Sequence, residues 1–181
     1  LVKGLINDTI IWSSVLMLKS NFFEKETFEN ICLSIFSNTM PFYIQSGEAK
    51  NGDGGILLTH VIIHGDSQNS SLTDFLLNPI IKSIKKVDSE FFKIIRVKIN
   101  CYPKSEKPRI SNWHIDLPGS YHKVCLVNLN NNNGYTDFKN KNLIQKKSLE
   151  NTALFFDGKE EHRSVSQTNT AWRYNINIDY E

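Results

Sequence analysis

The run Trp113-His114-Ile115-Asp116-Leu117-Pro118-Gly119 sets an imidazole and a carboxylate two positions apart. A strand projects alternate side chains to one face, so His114 and Asp116 point the same way and Trp113 and Ile115 the other. One further His completes the two-His, one-carboxylate face that holds non-haem Fe(II) and leaves coordination positions open for a substrate and O2. His162 offers that third ligand, just after the apolar run Ala153 to Phe156 and the turn at Asp157-Gly158. The tripeptide alone carries little weight, because five His and 19 acidic residues in 181 produce such a spacing by chance. The reading gains weight from positions elsewhere: Asn100-Cys101-Tyr102, Asn128 and Arg173.

Arg173 follows His162 across a polar turn at residues 167–170. If the two flanking strands pair as a hairpin, Arg173 returns deep inside the same barrel. A buried guanidinium requires an anion, and its fork matches a carboxylate bidentately. Arg173 therefore predicts a carboxylate-bearing ligand beside the metal. By strand alternation Asn175, Asn177 and Asp179 share its face, while Trp172, Tyr174, Ile176 and Ile178 lie opposite.

The elements that must position these groups divide the chain near residue 90. Ile10 to Leu18 reads as a strand, and Ser20-Asn21 as the cap of an amphipathic helix over Phe22 to Ser37. Ile56 to Ile63 reads as a strand, with His60 and His64 taken as non-ligands. Ser71 and Asp74 approach a capping box for a second helix with a stripe of Phe75, Leu76, Ile80, Ile81 and Ile84. From Phe91 onward short β-rich runs alternate with turns: Lys93 to Tyr102, Asn112 to Asp116, His122 to Leu129, Tyr135 to Phe138, Thr152 to Phe156, Glu161 to Ser166 and Ala171 to Tyr180. The expectation is one domain over 1–181, mainly β with N-terminal helices (α+β). Residues 1–90 give helical and strand support, and 91–181 form a double-stranded β-helix (jelly-roll) core.

Composition limits the partners. The net charge of +2 and scattered Lys residues supply no concentrated field of the kind nucleic-acid binders use. The most apolar run, Ile56 to Ile63, is too short to cross a bilayer. Three Cys without a C-x-x-C pair argue against a disulfide framework or a zinc knuckle. Together with the lack of a charged-then-apolar leader, they predict a reduced, intracellular, cytoplasmic protein.

These residues carry a family resemblance. The pattern His114-x-Asp116, His162, Arg173 resembles the Fe(II)- and 2-oxoglutarate-dependent dioxygenases, in particular the prolyl-hydroxylase branch. Cys101-Tyr102-Pro103 is similar to the hypoxia-sensing prolyl hydroxylases, where that Tyr lines the 2-oxoglutarate pocket. Val127-Asn128-Leu129-Asn130 resembles the strand in which the position of Asn128 helps hold 2-oxoglutarate. Gly134-Tyr135-Thr136-Asp137-Phe138 is similar to the Gly-Gly-x-Thr-x-Phe element of prolyl 4-hydroxylases, with Asn133 in place of one Gly. Prolyl 4-hydroxylases usually hold the far carboxylate with Lys, where this chain has Arg173.

The resemblance covers about residues 93–180. It implies Fe(II) on His114, Asp116 and His162, and 2-oxoglutarate held by Arg173, Tyr102, Asn128 and Asn100. Thr136, Asn177 and Trp113 are assigned to the substrate pocket. O2 is the co-substrate, and succinate and CO2 leave as an unactivated C–H is hydroxylated. The intact carboxylate at Asp116 favours hydroxylation over halogenation. The expected partner is a protein or peptide presenting a prolyl or other side chain, with a small molecule as the other option. Two alternatives remain: an AlkB-type nucleic-acid demethylase, since Asn100-x-Tyr102 ahead of His-x-Asp resembles that family too, and a non-catalytic cupin-like metal-binding barrel. No second Arg follows Arg173, as the demethylases require, and a mere metal sensor has no need of an inward Arg173.

Overall fold

The computed structural model describes residues 16–49, 55–139 and 147–181. Within them the order is β1 (Met17–Ser20), α1 (Lys25–Ile35), β2 (Tyr43–Gln45), β3 (Leu57–His64), β4 (Ser67–Gln68), α2 (Thr73–Lys85), β5 (Ile94–Pro103), β6 (Lys123–Asn128), β7 (Tyr135–Phe138), β8 (Thr152–Asp157), β9 (His162–Val165) and β10 (Trp172–Tyr180). The strands form two antiparallel sheets. The larger runs β1-β8-β6-β10-β5-β3-β2, with β4 added to β3, and the smaller is β7-β9.

The apolar halves of the strand alternation and the helix stripes meet on one side of the larger sheet. Ile31, Ile35, Leu76, Ile80 and Ile84 of the helices cluster with Val97, Ile99, Cys125, Val127, Phe155, Ile176, Ile178 and Tyr180 of the sheet. Between the two sheets the apolar cluster is small: Val124, Leu126, Phe138, Leu154 and Phe156. The mainly β architecture with two helices agrees with the sequence reading. The first ninety residues, however, are more than support, because β1 to β4 are strands of the same sheet as β5, β6, β8 and β10.

Several local expectations are corrected. Ile10 to Leu18 falls mostly outside the described residues, and the strand there starts at Met17. Ser20-Asn21 does not cap α1: Asn21 takes φ 51°, turning the chain, and Glu24 is the N-cap. Glu24 makes no side-chain cap and instead reaches Lys82 and Lys86, each at 3.1 Å. The Ser71/Asp74 box is not formed either, since α2 is capped at Leu72, whose N–H donates to Ser70 Oγ at 3.1 Å.

Asn112 to Asp116 is not a strand. It makes one isolated bridge, His114 with His162, after another at Ile110 with Val165, before Leu117-Pro118-Gly119 turns away with Gly119 at φ 85°. Nor do β9 and β10 form a hairpin, because β9 pairs with β7, and β10 sits between β5 and β6. His60 is structural, with its ring nitrogens 2.8 Å from Pro41 O and 2.7 Å from Ser70 Oγ. All three Cys are free, and no helix among the described residues is long and apolar enough to cross a membrane.

Candidate metal centre

His114 and His162 are locked together by the backbone before their side chains do anything. Each N–H donates to the other residue's carbonyl at 3.0 Å, which holds the two rings 4.6 Å apart. His114 Nδ1 lies 3.1 Å from Asn112 O, and His162 Nδ1 lies 3.0 Å from Glu160 O. A carbonyl only accepts, so each Nδ1 carries a proton, and in the neutral ring the lone pair is on Nε2, the atom a metal would bind. Asp116 completes the set, with Oδ2 3.5 Å from His162 Nε2. The three residues offer ligand atoms that all lie within 4.8 Å of one another.

The Asp116 carboxylate is held from two directions. Asn177 Nδ2 donates to Oδ2 at 3.0 Å, and Arg96 Nη2 lies 3.2 Å from Oδ1. Arg96 is itself shared, since its Nε donates at 2.8 Å to Asp179, a fully buried carboxylate. Burial pushes Asp116 upward, but its bond to His162 and the charges of His162, Lys98 and Arg96 outweigh that and hold it well below the usual carboxylate range. Burial lowers His162, and Asp116 more than reverses this, so its imidazolium is favoured while no metal is bound. His114 is pushed down, by burial first and then by His162. Asp179 is pushed up to about 6 by burial and by Asp116.

These groups face a cavity of about 320 Å³ between the two sheets. His114, Asp116 and His162 line it, with Arg96, Lys98, Asn100 and Tyr102 of β5, Thr136 of β7, and Asn175 and Asn177 of β10. Residues 47–49 of the loop after β2 close part of the wall, and Glu48 there pairs with Arg109. That loop belongs to the run 41–55, which carries no readable motif but is expected from the sequence to form one of the lids over the site, and residues 47–49 do line it. Arg96 and Lys98 were missed, although the alternation Arg96-x-Lys98-x-Asn100-x-Tyr102 against Val97, Ile99 and Cys101 is as regular as that of β10.

The remaining sequence candidates separate. Arg173 is buried between the sheets and 1% exposed, but it stands behind the cavity wall, not in it. Its Nη1 donates to Ser164 Oγ and Val165 O, both at 3.2 Å, and its guanidinium lies 5.0 Å from the Tyr102 ring centroid. Ser164 and Tyr102 are the wall nearest to it. Among the described residues no carboxylate pairs with Arg173, and its Nε is buried without a partner. Burial pushes the Tyr102 phenol up to about 12, against the pull of Arg173.

Asn100 donates to Asn175 Oδ1 at 2.9 Å and has a buried, unpartnered Oδ1 of its own. Asn128 is buried with its Oδ1 also unpartnered, but it lines a separate small pocket with Leu126, Thr136 and Leu154. Trp113 is not brought to the cavity: its ring lies 4.0 Å beneath the Arg163 guanidinium, which pairs with Asp137 at 2.7 Å.

No protein-family model matches the chain, and no curated protein matches it. Solved structures do. A 2OG-Fe(II) oxygenase family oxidoreductase from Burkholderia pseudomallei superposes with TM-score 0.68 at 14% identity, over 93% of this chain and 84% of that one. A Pseudomonas putida prolyl-4-hydroxylase gives 0.62 at 10%, over 93% and 94%. A Trichoplax adhaerens prolyl hydroxylase, solved with a peptide fragment of the hypoxia inducible factor oxygen degradation domain, gives 0.62 at 15%, over 91% and 82%. At such identities the likeness is one of architecture: this chain has the fold of the 2OG-Fe(II) oxygenases.

Proposed function

We propose that the protein is an Fe(II)- and 2-oxoglutarate-dependent dioxygenase that hydroxylates an unactivated C–H, and that 1–181 act as one domain around a double-stranded β-helix. The observation that carries this is the His114, Asp116 and His162 cluster facing the cavity between the two sheets. The donor set fits the metal: two neutral imidazoles with free Nε2 and one carboxylate are the ligands of non-haem Fe(II) oxygenases. Fe(II) with 2-oxoglutarate and O2 supplies an oxidant that puts one oxygen atom into a C–H bond while the other leaves in succinate, with CO2 released.

The chain's own residues do the rest. Asn112 O and Glu160 O keep the two imidazoles in the ligating tautomer, and Asn177 and Arg96 fix the rotamer of Asp116. Arg173, charged and without a carboxylate partner among the described residues, supplies the field for the far carboxylate of 2-oxoglutarate, with Tyr102 and Ser164 as the surface that meets it. Asn100 has a free acceptor on the same wall. The likeness to prolyl hydroxylases supports a prolyl or other protein side chain as substrate, and about 320 Å³ suits a side chain or a small molecule. Incubation with Fe(II), 2-oxoglutarate and O2 is expected to yield succinate. No succinate above a metal-free control overturns the proposal.

A further inference from the structure

Lys98 is the cavity cation that makes no hydrogen bond or ion pair with the metal site among the described residues. It sits on β5 between Arg96 and Asn100 and pairs in register with Asn177 of β10, so its side chain enters at the level of the Asp116 clamp. Arg173 is opposite Tyr102, four residues further along β5 and on the order of 13 Å away. The other cations of the lining are matched, Arg96 by Asp116 and Asp179, and Arg109 next to it by Glu48. Among the described residues Lys98 makes neither a hydrogen bond nor an ion pair. Its ammonium is held below the usual range, first by burial and also by Arg96, and Asp116 offsets this only in part.

Lys98 is half-buried in the cavity lining, and a partly desolvated charge without a partner is still costly, so a site that retains one is complementary to a ligand of opposite charge. The proposed oxygenase chemistry does not supply that charge. A divalent metal and Arg173 answer the two carboxylates of 2-oxoglutarate, and the internal pairs answer each other. One positive charge is left, and it is on Lys98. Resting on the oxygenase reading, we infer that the substrate carries a carboxylate close to the carbon that is hydroxylated, and that Lys98 binds it. The cavity size keeps that carboxylate within a side chain's length of the reacting carbon. It belongs either to an Asp or Glu side chain of a protein or to a small free acid.

The test measures binding, so that it stands apart from turnover. Protein loaded with Mn(II) and 2-oxoglutarate is titrated calorimetrically with matched probes. One arm uses capped Asp and Glu with their Asn and Gln counterparts. The other uses the N-acetyl derivatives of glycine, alanine and proline with their primary amides. In at least one pair the wild type is expected to bind the acid at least ten times more tightly than the amide. Lys98→Met and Lys98→Gln, each checked for fold by circular dichroism, should erase that preference, and Lys98→Arg should keep it.

The arm that shows the preference names the source of the carboxylate. The inference is overturned if no pair shows a preference, if the preference survives in both neutral variants, or if those variants weaken 2-oxoglutarate more than the acid probe. The last result would make Lys98 a co-substrate residue. Succinate production by the wild type with Fe(II) and O2 is scored separately, so loss of the oxygenase reading is visible by itself.

Discussion

The two faces of β10 are made from one run of nine residues and have opposite purposes. Ile176, Ile178 and Tyr180 are fully buried against the core that the helices complete, whereas Arg173, Asn175, Asn177 and Asp179 are just as buried on the other side and are polar. Burial therefore does not separate structure from function in this sheet. What separates them is hydrogen-bond accounting. The apolar face is filled by partners of the same kind, while the polar face is left with unpartnered atoms, Asn100 Oδ1, Asn128 Oδ1, Arg173 Nε and Asp179 Oδ1. Buried polar atoms without partners are rare in folded proteins, and here they lie on the polar side of the sheet: Asn100 in the cavity lining, Arg173 behind its wall, and Asn128 in the small pocket alongside.

The comparison breaks if the two faces respond alike to mutation. Ile178→Ala deletes a fully buried side chain from the helix-facing core and is expected to cost about 2–5 kcal/mol of stability, read by urea unfolding. Metal affinity of the folded fraction should be unchanged. A large loss of metal binding with intact stability would mean that the apolar face shapes the site directly.

A smaller effect is expected on the opposite face. Arg173→Lys keeps the charge and loses the fork, so the 2-oxoglutarate requirement should rise about tenfold while iron affinity changes little. Equal effects on both would make Arg173 a structural residue that serves Ser164 and Val165.

Smallest of all is the dependence on pH. His162 is raised above 6.5 by Asp116, so in the metal-free protein its contribution to stability is complete below 6.5 and is lost as pH rises through the folded value. A metal must displace that proton, so stabilisation by Mn(II) should grow across the same window. His114, pushed down, and Asp179, at about 6, titrate below it. Thermal midpoints with and without Mn(II), compared between pH 6 and 8, should therefore move in opposite senses. Parallel curves would mean that His162 is not a ligand.

How much of this was legible in the sequence follows the same division. The β10 alternation could be read because Arg173, Asn175, Asn177 and Asp179 interleave with apolar residues without a break. The His-x-Asp pair could be read because spacing alone sets its side, although the segment turned out to be a bridge and not a strand. Trp113 could not, since its place depends on Arg163, a contact between segments far apart in the chain. Asn21 as a helix cap failed because the same residue type also tolerates the left-handed turn it occupies here. Arg96 and Lys98 were within reach of the alternation rule, but a Lys or Arg on a strand is usually solvated, and only the fold shows that this face is enclosed.

The most direct test is a calorimetric titration of metal-free protein with Fe(II) under anaerobic conditions, run on the wild type and on His114→Ala, Asp116→Ala and His162→Ala. One site per chain is predicted for the wild type. Each variant should lose at least about 100-fold in affinity, beyond the 10- to 100-fold that loss of an outer partner costs, with its fold retained. Wild-type affinity in any one of the three would remove that residue from the centre, and wild-type affinity in all three would contradict the account.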